Sequence, residues 1–149
     1  MLVMLRGMSQ QNVSTATFHA YFGYRDAPGA LRWLERAFGF ETTMEFPDDQ
    51  GGISHAEMRY GGFAFTLFSD RAGYDRPVRK EDTVGHGMYV ALDDREHVDA
   101  VYRSAIAAAA ESIWEPAASE WGNYRCRVAD PEGYEWTFGT YRPGIPVEW

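Results

Sequence analysis

The chain has a single cysteine, Cys126. That excludes an intrachain disulfide framework and any metal site built on several thiolates. It suits a reducing compartment. No apolar run approaches the roughly 18 residues of a membrane span. The opening stretch Met1-Leu2-Val3-Met4-Leu5 is too short an apolar run for a signal peptide and has no basic leader. Residues 1–15 are expected to form a flexible arm, and the protein to be cytoplasmic. Basic residues are in deficit: 14 Lys and Arg stand against 22 Asp and Glu, a formal charge of −8. A nucleic-acid partner wants a basic face, so that class is set aside. The acidic balance instead suits attraction of cationic ligands. A P-loop, a dinucleotide fingerprint and a nucleophile–base pair at recognisable spacing are also missing.

What remains is one domain's worth of patterned chain. Residues 16–24 read as a strand rich in β-formers. Phe18, Ala20, Phe22 and Tyr24 lie on one face, Thr17, His19, Tyr21 and Gly23 on the other. Asp26 caps a helix with Pro28 in its first turn, and Gly39 ends it. Strands follow at about 40–46, 53–60 and 63–69, separated by Asp48-Asp49-Gln50-Gly51-Gly52 and Gly61-Gly62. After a polar connector over 70–83 the order starts again. Gly85 to Leu92 reads as a strand, and Asp94 starts a second helix. Val98, Val101, Tyr102, Ala105, Ile106 and Ala109 form the buried stripe of that helix. A strand near 111–115 and a hairpin turning at Asp130-Pro131-Glu132-Gly133 close the chain. The order is β-α-β-β-β twice, in an α+β chain.

That double order resembles the vicinal oxygen chelate superfamily of glyoxalases, bleomycin-resistance proteins and dioxygenases. Three features carry the resemblance: Trp33 to Phe40 as the end of the first helix, the Asp130-Pro131-Glu132-Gly133 hairpin, and Trp121-Gly122 upstream of it. The resemblance implies two βαβββ modules forming a curved, concave mixed sheet, with helices on the outer face. Module one spans 16–69 and module two 84–142, with a tail over 143–149. It also implies a small-molecule ligand and a homodimer.

Metal enzymes of this resemblance place ligands on the first, fourth, fifth and eighth strands. The matching positions here are His19, Thr66, Gly87 (with His86 beside it) and Thr137. Threonine hydroxyls are poor ligands for transition metals, which want imidazole and carboxylate. The expectation is therefore a binding protein without metal that sequesters an aromatic or cationic ligand. The alternative is a metal-dependent enzyme, a lyase, dioxygenase or thiol transferase, holding a divalent transition metal with His19 and His86. Ligand contacts are expected from Trp121, His19, Tyr21, His55, Glu57, Thr66, Arg125 and Thr137. Trp121 either stacks on a flat ligand or packs on its own hairpin or a partner. His55 and Glu57, two apart on one strand face, either line the pocket or form an exposed polar pair. Arg125 and Arg127 face away from the core, toward an anionic ligand group or water. Trp114 and Trp136 are expected in the core, as is Cys126.

Overall fold

The structure is a computed structural model that describes residues 15–146. The expected arm therefore lies outside the described residues except for Thr15, as do the last three residues of the expected tail. The elements run β1 Tyr21–Tyr24, α1 Ala27–Phe38, β2 Glu41–Pro47, β3 Ile53–Tyr60 and β4 Phe63–Ser69. They repeat as β5 Met88–Ala91, α2 Arg95–Ala107, β6 Glu111–Ala118, β7 Tyr124–Ala129 and β8 Glu135–Gly139. Each module is a four-stranded mixed sheet, ordered β1-β4-β3-β2 and β5-β8-β7-β6. In each, the first strand pairs parallel to the last, and the rest is antiparallel.

The helices begin where their caps put them. The Asp26 carboxylate accepts from the Gly29 N–H at 3.0 Å, and the Asp94 carboxylate from the His97 N–H at 3.0 Å. Each satisfies a donor that the first turn would otherwise leave unpaired. Gly39, at φ 75°, ends α1 and donates its N–H to the Glu35 carbonyl. α1 buries a broad face of Ala27, Ala30, Leu31, Trp33, Leu34, Ala37 and Phe38. α2 buries only Val98, Val101 and Ala105. The stripe expected to continue through Ile106 and Ala109 is corrected: Ile106 is 40% exposed and Ala109 lies on the surface. The reason is that the helix ends first: its last residue is Ala107, and Ala109 takes φ 67°, outside helical geometry. The Phe38 ring of α1 stands 4.9 Å from Phe138. The helices also touch, with Trp33 Nε1 donating to the Ala108 carbonyl at 2.7 Å.

Trp136 is the centre of the shared core. It is fully buried, with the rings of Phe22, Phe38, Phe40 and Phe65 at 5.4–5.6 Å. The hairpin turn at its back is a polar seam. Asp130 is buried and accepts from the Tyr24 hydroxyl at 2.6 Å and from Trp136 Nε1 at 3.2 Å. Burial pushes the Asp130 carboxyl up, and it pushes the Tyr24 phenol well up, with Asp130 adding to the latter. Glu132 accepts from the Arg25 and Asp26 N–H groups and from Arg76. The turn of module two thereby fastens the start of α1 and the connector.

Two strands start later than expected. β1 begins at Tyr21, and Phe18, expected in the core, is 87% exposed. β5 begins at Met88, and His86, expected to face the second helix from within that strand, is exposed in the loop before it. In both places a side chain bonds to a distant part of the chain. His19 Nδ1 donates to the Ala64 carbonyl at 2.7 Å, beside β4. The Glu135 carboxylate accepts from the Val84 N–H at 3.2 Å and the Thr83 hydroxyl at 2.5 Å, beside β8.

Candidate functional site

Each sheet gives one face to the helices and leaves the other open. Along β4 the core takes Phe65 and Leu67, so Ala64, Thr66 and Phe68 turn to the open face. Along β8 the core takes Trp136 and Phe138, so Glu135, Thr137 and Gly139 turn to the opposite face, where their neighbours bury them too. Register then places one row across each face. In module one, Tyr21 lies beside Thr66, Thr66 beside Glu57, and Glu57 beside Met44. In module two, Tyr89 lies beside Thr137, Thr137 beside Arg127, and Arg127 beside Trp114.

Row one brings together most of the residues anticipated for ligand contact. Tyr21 is 77% exposed. Glu57 Oε2 and His55 Nε2 meet at 2.9 Å, both side chains partly exposed. His19 stands at the N-terminal edge of the same face. Its Nδ1 is committed to the Ala64 carbonyl, so Nε2 accepts from the Thr17 hydroxyl at 2.7 Å.

Row two is cationic and aromatic. The Arg127 guanidinium donates through Nε to Thr137 Oγ1 at 2.8 Å and through Nη1 to the Asp82 carbonyl at 2.9 Å. It lies 3.8 Å from the centre of the Trp114 ring, and the Arg125 guanidinium lies 4.2 Å from it. Such cation–π contacts contribute about 0.5–2 kcal/mol each. Trp114 Nε1 donates to the Asp82 carboxylate at 3.1 Å. Burial lowers the Arg127 guanidinium from its ordinary range, against the carboxylates of Glu135 and Asp82, while Arg125 adds to the lowering. Tyr89 donates to the Tyr141 carbonyl at 2.7 Å, and burial raises its phenol.

Trp114 is therefore not a core residue, as expected, but part of the open face. A β-bulge explains it. Ser112 pairs with core-facing Val128, and after a register shift Trp114 pairs with Arg127. One inserted residue reverses the alternation, which a strict period of two cannot anticipate. Tyr89 and Arg127 did carry a signal, since each alternates with core residues. Cys126 is fully buried as expected, and burial pushes its thiol up to about 12, far from a nucleophile.

Trp121 sits elsewhere. It is 73% exposed in the loop between β6 and β7 and lines an open 350 Å³ cavity with Gly122, Thr140, Tyr141, Arg142 and Ile145. That cavity shares no residue with the 320 Å³ one lined by Trp114, Glu115, Ala117, Ala118, Ser119 and Arg125. His86 borders a third, 220 Å³ cavity, beside Glu135, Tyr89, Arg127 and Thr137.

The four positions where related metal enzymes carry ligands do not fit a transition metal. Two are threonines, and the hydroxyl of Thr137 already accepts from a guanidinium, whose charge repels a cation. At the third, Gly87, a Cβ would stand 2.6 Å from Glu135 Cγ, so no larger side chain enters there without displacing Glu135. Only His19 is a ligand type. Among the described residues no group of three or more His, Cys, Asp or Glu is arranged to hold a metal, and no helix is long and apolar enough to cross a membrane.

Residues 17–138 match the family model of the Glyoxalase/Bleomycin resistance protein/Dioxygenase superfamily. No curated protein matches the chain. Among solved structures it is similar to TioX from Micromonospora sp. ML1, at 26% identity over 83% of this chain and 97% of that one, with a TM-score of 0.64. It is also similar to a lactoylglutathione lyase from Agrobacterium tumefaciens, at 22% identity over 84% and 92%, with a TM-score of 0.60. A glyoxalase/bleomycin resistance protein/dioxygenase domain from Frankia sp. EAN1pec gives 16% identity over 88% and 95%, with a TM-score of 0.68. The last two likenesses concern the fold alone.

Proposed function

We propose that this chain, which belongs to the glyoxalase/bleomycin resistance protein/dioxygenase superfamily, is a cytoplasmic small-molecule binding protein that holds a flat aromatic ligand without a metal. The observation that carries the reading is the second row. Where a metal enzyme of this fold would present a carboxylate on its last strand, Thr137 accepts from Arg127, and Arg127 stacks on the half-exposed Trp114 indole. An indole beside a cleft offers a flat ligand a stacking surface worth about 0.5–1.5 kcal/mol beyond the area buried. Sequestration asks for little more than such a surface and a few polar anchors. Metal-free binding requires that purified protein hold no stoichiometric transition metal by elemental analysis, and that added metal leave its melting temperature unchanged. Tightly bound nickel, zinc or iron would overturn the reading. Quenching of tryptophan fluorescence by flat aromatic probes, compared in Trp114→Leu and Trp121→Ala, tells which of the two open tryptophans the ligand meets.

The reading includes a homodimer. Row one exposes Tyr21, Met44 and Phe46 on one face, an apolar patch of the kind that marks an interface, with Glu57 and His55 among them. A second copy docked on this patch through a two-fold axis would cover row one and leave row two to the ligand. Sedimentation should find a dimer that Glu57→Lys weakens about tenfold or more. A monomer at all concentrations would remove the assembly from the proposal.

A further inference from the structure

We propose that the cavity between Trp114 and Ser119 is an anion subsite, and that the ligand is an aromatic molecule bearing a carboxylate, sulfonate or phosphate held by Arg125. This rests on the reading of the module-two open face as the ligand face, and it names the ligand's charge.

The two arginines on Trp114 are not equivalent. Arg127 is spoken for: it donates to Thr137 and to the Asp82 carbonyl, and the carboxylates of Glu135 and Asp82 balance its charge. The Arg125 side chain has no hydrogen-bond or ion-pair partner among the described residues; its one contact of note is the indole. A guanidinium laid on a ring has one face covered, yet all five N–H groups remain in its plane. That fork matches two oxygens of an oxyanion and makes charge-assisted bonds about twice as strong as neutral ones. An anion there would also relieve the repulsion between Arg125 and Arg127, which share one ring.

The surroundings agree. Ser119 lines the same cavity, and its buried hydroxyl has no partner among the described residues. Ala117 and Ala118 keep the floor low, and 320 Å³ is at the small end of ligand pockets. The only carboxylate in the lining, Glu115, belongs to an exposed residue of β6, which forms the edge of its sheet. The acidic balance of the whole chain therefore does not set the sign of this face. A cationic ligand, which net charge alone would suggest, would meet two guanidinium groups.

The test uses a matched pair of dyes, 8-anilinonaphthalene-1-sulfonate and N-phenyl-1-naphthylamine, which share their rings and differ by the sulfonate. Titrated into the full-length protein at low salt, the sulfonate is expected to bind about tenfold or more tighter, with the margin narrowing as salt rises. Arg125→Gln should bring the two to parity, and a far-UV circular dichroism spectrum matching the parent's shows that the variant has folded. Trp114→Leu should weaken both. Equal affinities in the parent protein, both lost in Trp114→Leu, would overturn the anion subsite and leave the aromatic face standing. Binding of neither dye would overturn the face and the subsite together. An Arg125→Gln protein that kept full sulfonate affinity, or lost its dimer and not the dye, would assign the guanidinium elsewhere and overturn the subsite.

Discussion

Tyr21 and Tyr89 each stand five residues before a helix cap, Asp26 and Asp94, and each opens a row across its sheet. From there the modules match position by position: Thr66 with Thr137, Glu57 with Arg127, Met44 with Trp114. Even the bulge recurs, between Thr42 and Met44 in β2 and between Ser112 and Trp114 in β6. Core-facing positions keep their kind. Phe65 and Trp136 hold equivalent places and lie 5.5 Å apart, so the modules meet through them. Open-face positions diverge, to an acid in one module and a base in the other. At the row's N-terminal end, sizes trade within the pair: His19 sits against Ala64, and Glu135 fills the place that Gly87 leaves. Packing density holds the core side to a narrow range of shapes. Nothing of that sort holds the open side, and that is where a ligand face can change sign.

The comparison breaks most visibly at the core pair. Trp136→Ala should cost about 3–5 kcal/mol, measured by urea unfolding, and Phe65→Ala a comparable amount. If one cost far less, the two modules would not share a single core. At the traded pair the expectation is lopsided. Gly87→Ala puts a Cβ 2.6 Å from Glu135 Cγ and 2.9 Å from the Glu135 carbonyl oxygen. That overpacking should cost about 1–3 kcal/mol. His19→Ala, at an exposed residue that loses two hydrogen bonds, should cost about 1 kcal/mol or less by the same measurement. Equal costs would mean that Glu135 moves aside freely. The caps come next, with Asp26→Ala and Asp94→Ala each expected to cost about 1 kcal/mol.

The smallest difference is one of pH. Asp94 also contacts His97, at 2.6 Å, where α1 has Gly29. The Asp94 hydrogen bond raises the His97 imidazole, and His97 in turn holds the Asp94 carboxyl low. A raised histidine contributes stability that is full below its ordinary value, near 6.5, and lost as pH rises through the raised one. A depressed carboxyl contributes above its ordinary value, near 3.8, and loses the contribution as pH falls. The pair should therefore act in mildly acidic solution and weaken on either side, with no counterpart at Asp26. Proton NMR titration should find His97 titrating higher in the parent than in Asp94→Ser. An unchanged titration would separate the two groups.

Much of this fold is legible in the chain because its signals are local. An aspartate before a helix, a glycine after it and Pro-Glu-Gly at a turn act on their own backbones, and both helices, the order of elements and the closing hairpin follow from them. The open-face placement of Tyr21, His55, Glu57, Thr66, Arg125 and Thr137 was legible as well, since alternation with core residues is a property of a strand. What alternation missed has particular causes. Trp114, expected in the core as a large aromatic, turns to the open face because β6 is irregular on both sides of it, with Pro116 inside the second register shift. His86 and Phe18 lie before strands that start only after them, and there the His19 ring and the Glu135 carboxylate bond to backbone groups far along the chain. Those contacts join residues 45 and 51 positions apart.

The sequence by itself determined where the chain turns, which residues cap its helices and which faces its strands present, because each depends on neighbours within a few residues. The tertiary structure alone decided that an indole would stand under two guanidinium groups, that Thr137 would accept from Arg127, and that both guanidinium groups would gather on one sheet face despite the chain's surplus of acid. Those outcomes depend on register between strands far apart in the chain. A one-residue shift would have turned each of these side chains to the opposite face.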